Sequence, residues 1–174
     1  MRWYVGLFLF ACLLFIGSHY KWFGLFKTDL DKSNDKFKEF RDFIPILDKM
    51  SQEERNKDKS GEIKYDEYEN SIKKLSKSDI ILHAKYMSNF IIEDYTNLIK
   101  LFNTAKNLER TDPQTANKMY LDAKLHEKYI RKLEKLHRNI FRKIIQDNPD
   151  LEKDLSDIAK PVEELKKSTM KALS

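Results

Sequence analysis

The residues best suited to chemistry are His126, His137 and Glu134. His126 and His137 stand eleven positions apart, which brings both to nearly one face of a helix, and Glu134 lies three residues before His137. Imidazole nitrogens and a carboxylate at that spacing are metal-ligand types. His83, with Asp79 four residues earlier, is the further histidine able to converge with them. The second Glu-x-x-His pair that a bundle metal site uses is missing, so the plainer reading is histidines packed along a seam with polar tips. There is no Gly-rich phosphate loop, no G-x-S-x-G turn and no H-E-x-x-H. The single cysteine, Cys12, falls in an apolar N-terminal stretch, so the rest of the chain has neither a disulfide nor a thiolate zinc site. The chain therefore reads as non-enzymatic.

A different metal chemistry is written at residues 56–67. Asn56, Asp58 and Ser60 occupy the first, third and fifth of twelve positions, Gly61 the sixth, Glu62 the seventh and Glu67 the twelfth, with Ile63 apolar between them. This segment resembles the calcium loop of an EF-hand, and the resemblance covers the loop alone. It implies Ca2+ as the ligand, held by side-chain oxygens of Asn56, Asp58 and Ser60, the Glu62 carbonyl and a bidentate Glu67, with the sharp turn at Gly61. Lys64 at the ninth position and the low negative charge of the set imply weak affinity, on the order of 10⁻⁴ to 10⁻³ M. Without calcium the same residues read as a solvated, charged turn capped by Gly61. Similarly, Glu134 and His137 resemble one of the Glu-x-x-His pairs of the di-iron carboxylate bundles.

Charge offers the third feature. Between Pro113 and Gln146 the chain places Lys118, Lys124, Lys128, Arg131, Lys132, Lys135, Arg138, Arg142 and Lys143 against Asp122, Glu127 and Glu134. Lys124, Lys128, Arg131, Lys135, Arg138 and Arg142 recur every three or four residues, which makes one basic helical face and a candidate partner-binding surface. Its partner chemistry is anionic: phospholipid headgroups, another polymer, or an acidic protein face. Nucleic acid is not expected, because the aromatic residues follow the apolar faces and do not alternate with the lysines. The segment after Asp147 is acidic on balance, and a merely solvated face is the competing reading.

These residues need elements to hold them. The chain has 174 residues, a net charge of +5, 35% charged residues, 4 glycines and 4 prolines, which favours helix over sheet. Residues 3–20 are uncharged and mostly apolar, with Trp3, Tyr4, Tyr20 and Trp22 at the ends. That is the composition and length of a short single-pass anchor with interfacial aromatics, with a cleaved signal peptide as its rival. Its resemblance to an export signal places the remaining domain on the exported side of the membrane. The expected organisation is an anchor over 1–27, short helices with the calcium-like loop over 28–77, and an antiparallel helical hairpin of 78–111 and 112–147 followed by a C-terminal helix, 149–173. Asp112-Pro113 and Asn148-Pro149 mark helix starts. Ile80, Ala84, Met87, Ile91, Tyr95 and Leu98 give one apolar face, and Ala123, His126, Ile130, Leu133, His137, Ile140 and Ile144 give a coiled-coil-like seam. Such a seam also suits a homodimer. The fold class is all-α, an elongated bundle behind an anchor. Two functions fit it: a membrane-anchored interaction or scaffold protein, or a calcium-responsive module in which residues 56–67 order the flanking helices.

Overall fold

The computed structural model describes residues 27–49 and 60–173. The apolar stretch at 3–20 and the loop residues Asn56 and Asp58 lie outside them. Among the described residues five α-helices succeed one another: α1 (Asp29–Lys49), α2 (Ser60–Ile72), α3 (Lys77–Leu108), α4 (Pro113–Asp147) and α5 (Glu152–Leu173), with a 3-10 turn at Pro149–Leu151 before α5. Among the described residues there is no strand, and no helix is long and apolar enough to cross a membrane. The protein is an all-helical bundle.

Helix starts obey capping chemistry. Ser76, two residues ahead of the Ser78 or Asp79 at which the pattern suggests a start, caps α3 through a bond from the Asp79 amide. Asp112 accepts the Thr115 amide at 3.1 Å while Pro113 fills the first position of α4, where no N–H is needed. Asn148 behaves differently from its sequence expectation. Its side chain turns back to the Ile144 carbonyl, closing α4 instead of capping the 3-10 turn on its C-terminal side. α1 runs through Pro45 to Lys49, and α5 runs through Pro161. Both prolines are exposed, so the carbonyl each leaves unbonded faces water and not the core.

α3 and α4, of 32 and 35 residues, span about 48 and 52 Å at 1.5 Å per residue and form the spine. They run antiparallel, with the rings of Phe102 and Tyr120 edge to face near the connecting turn. The seam of α4 is buried within the chain: Ile130, Leu133 and Ile140 are nearly inaccessible, as are Met87, Ile91, Tyr95 and Leu98 of α3. α5 returns antiparallel to α4, shown by Arg131 to Met170, Glu134 to Lys166 and Arg138 to Glu163. α1 lies parallel to α3, because Asn34 meets His83 and Arg41 meets Asp94. α2 is antiparallel to α1, with Ser33 on Ser71 and Lys36 on Glu67. Phe37, Phe40, Tyr68, Tyr86, Phe90 and His83 form an aromatic cluster that joins this pair of helices to α3.

Candidate functional site

Packing decides which face of α4 remains available. Its seam covers α3, its Arg131 side meets α5, and Lys143 reaches Glu69 of α2 at 2.8 Å. The face left over points to water. Lys124, Lys128, Arg131, Lys135, Arg138 and Arg142 are all exposed on it or at its edge. Helical register turns Asp122, Glu127 and Glu134 away from the centre of this face, so no carboxylate of α4 interrupts its midline. Arg131 is tied to Glu127 at 2.6 Å and Arg138 to Glu163 at 3.3 Å, which settles the two cations nearest α5. Lys124, Lys135 and Arg142 make no ion pair among the described residues. Beside the N-terminal end of this face, one turn apart, Leu121 and Leu125 are 63% and 66% exposed. The sequence pattern missed these two, because a leucine off the seam is visible only when the seam has been placed.

The histidines are core residues. His137 is buried against the Phe141 ring, with centroids 4.0 Å apart, and burial, aided by His83, pushes its pKa down to about 3. His83 sits where three helices meet. Its Nδ1 donates to the Asn34 side-chain oxygen at 2.7 Å, which leaves Nε2 to accept from the Tyr68 hydroxyl at 2.9 Å. Burial holds its pKa down to about 4. His126 is half-buried beside Tyr129. Glu134, also buried, takes Lys166 of α5 at 2.7 Å as its partner. Among the described residues no three His, Cys, Asp or Glu side chains converge as a metal site.

Of the calcium-like loop's candidate ligands and turn residue the structure describes Ser60, Gly61, Glu62 and Glu67, all within α2. In helical geometry the Glu62 carbonyl is committed to an amide four residues on. The Glu67 carboxylate bonds Lys36 at 2.8 Å, and that bond holds its pKa below the usual carboxylate value.

One polar site was not legible in the sequence. Arg41 of α1 donates to Asp94 of α3 at 2.8 Å and lays its guanidinium 4.6 Å over the Phe90 ring. Burial raises the Asp94 carboxyl above its usual pKa against the opposing pull of Arg41, and burial lifts the nearby Tyr129 to about 12. This arrangement fastens α1 to the spine.

A cleft of about 450 Å3 opens between α4 and α5 over Phe141, Leu155 and Val162, with Glu134 and His137 in its lining. Its rim carries Arg138 and Arg142 against Glu152 and Glu163, so it selects no ligand charge. The exposed face of α4 is therefore the surface with a consistent chemistry. No protein-family model matches the chain, and neither a curated protein nor a solved structure matches it.

Proposed function

We propose that this protein is a non-enzymatic helical interaction protein, held at a bilayer by residues 3–20 and offering the outward face of α4 to an anionic partner. The observation that carries the reading is the run of exposed cations from Lys124 to Arg142, with the carboxylates of the same helix turned off its midline. At 1.5 Å per residue it extends for about 27 Å, long enough to act over several Debye lengths of contact at physiological salt. The packing of His83 supports the non-enzymatic part, since both its ring nitrogens are taken up in the core by neutral bonds to Asn34 and Tyr68. The composition of residues 3–20 supports the anchor.

Two measurements test it. Membranes from cells making the full chain should retain it through alkaline carbonate extraction, and deletion of residues 3–20 should release it. On an immobilised polyanion the combined variant Lys124→Gln, Lys135→Gln and Arg142→Gln should elute at markedly lower salt with its helical circular dichroism intact. An unchanged elution position would remove the basic face from the function.

A further inference from the structure

We propose that the anionic partner of α4 is the phospholipid surface itself, with Leu121 and Leu125 inserted at the boundary between headgroups and acyl chains. This rests on the basic face meeting an anionic partner beside a bilayer. Leu121 and Leu125 are one helical turn apart and, among the described residues, are the most exposed of the large apolar ones. Lys118, Lys124, Lys128 and Lys135 surround or succeed them, all exposed. Lys118, Lys124 and Lys128 flank the two leucines, with the exposed Asp122 at the edge of the patch beside Leu125, and apolar residues bordered by lysines are the pattern of a helix lying in a membrane interface. Lysine stems let the ammonium groups rise to phosphates while the leucines go deeper. From Leu121 the surface runs past Tyr120 to Phe102 and Leu173, which line a groove of about 480 Å3 with Lys124 and Glu127 at its side.

Shape favours the bilayer over a folded protein. The face belongs to one long helix, whose outer surface is convex, so a flat, fluid surface meets it without needing a matching groove. Two leucines fall well short of the roughly 800 Å² per partner that a stable dimer buries. Each lysine near an anionic surface adds attraction, and the sum acts only within about a Debye length.

The test uses the full chain in a Cys12→Ser background, labelled with an environment-sensitive dye at Leu125→Cys or, as a control on α3, at Leu82→Cys. Leu82 is itself 50% exposed, so both labels start in water. The chain is reconstituted into vesicles of phosphatidylcholine alone or of equal parts phosphatidylcholine and phosphatidylglycerol. The expected result is a blue shift at Leu125→Cys in the anionic vesicles only, reversed by high salt and absent at Leu82→Cys. Adding Lys124→Gln or Lys135→Gln should lower the ratio of buried to water-exposed dye about fivefold each. Chain that floats with anionic vesicles while the Leu125→Cys dye stays aqueous overturns the lipid contact and leaves the anchored scaffold standing. Chain that does not float with either vesicle overturns both. An equal shift in neutral vesicles, or a concentration-dependent shift without lipid, also overturns the proposal, the latter by assigning the leucines to a second copy of this chain.

Discussion

Arg41 and Asp94 meet across the interface of α1 and α3 with one satisfied oxygen between them: Nη2 bonds Oδ1 at 2.8 Å, while Asp94 Oδ2 and Arg41 Nε have no partner among the described residues. The Asp94 side chain is 4% exposed and that of Arg41 19%. A carboxylate this enclosed is tolerable only while the guanidinium faces it. The pair therefore specifies where α1 docks more than it stabilises the docked state.

Removing one member should cost more than removing both. Arg41→Met, which strands the enclosed Asp94 carboxylate, is expected to destabilise by about 3 kcal/mol, whereas the double variant Arg41→Met with Asp94→Leu should recover most of that loss. Urea unfolding of the parent and the two variants measures the difference. If Arg41→Met unfolds at the wild-type midpoint, the pair does not hold α1.

Acid should weaken the bundle through its histidines. His83 and His137 bind protons in the unfolded chain near pH 6.5 but only near about 4 and about 3 when folded. Each depressed histidine leaves stability intact above pH 6.5 and removes about 1.4 kcal/mol per pH unit as the pH falls towards its folded value. The raised Asp94 carboxyl works in the opposite sense. Melting temperature tracked from pH 7 to pH 4.5 should fall steadily, and His137→Leu should flatten the slope. A level profile in the parent protein would mean that these rings are not buried neutral.

Tyr68→Phe isolates one hydrogen bond without opening a cavity. It strips His83 Nε2 of its donor and Met87 Sδ of a 2.8 Å contact. The expected loss is about 1 to 3 kcal/mol, the cost of a buried acceptor left unsatisfied. Calorimetric unfolding reads it, and a loss below about 0.5 kcal/mol would show that the ring finds another donor.

Glu134 and Lys166 predict an asymmetry. Glu134 is 7% exposed and Lys166 25%, so Lys166→Met strands a buried carboxylate while Glu134→Met strands a lysine that can turn to water. The first should destabilise by about 2 to 3 kcal/mol and the second should be nearly neutral. Equal losses in thermal or urea unfolding would place the carboxylate in water instead.

The all-helical class, the buried seam of α4 and the cap at Asp112 were legible because they are local: periodicity and an Asp-Pro pair are properties of neighbouring residues. Asn148 misled because its amide has two choices within reach, and the helix behind it won. Arg41 with Asp94, 53 residues apart, could not be found from spacing at all, since only the parallel packing of α1 on α3 brings them together. The basic face was readable as a charge period. Its two leucines were not, because exposure is a property of what packs nearby.

The parallel run of α1 along α3 also sets how the domain bears load. A pull from the N-terminal side enters at Lys27 and travels along the axis of α1. Phe37, Asn34 and Arg41 are then strained together, as rivets in a lap joint are, and α1 cannot be peeled one contact at a time. A bundle dragged from its N-terminal side should therefore keep its first helix seated until those contacts give way together.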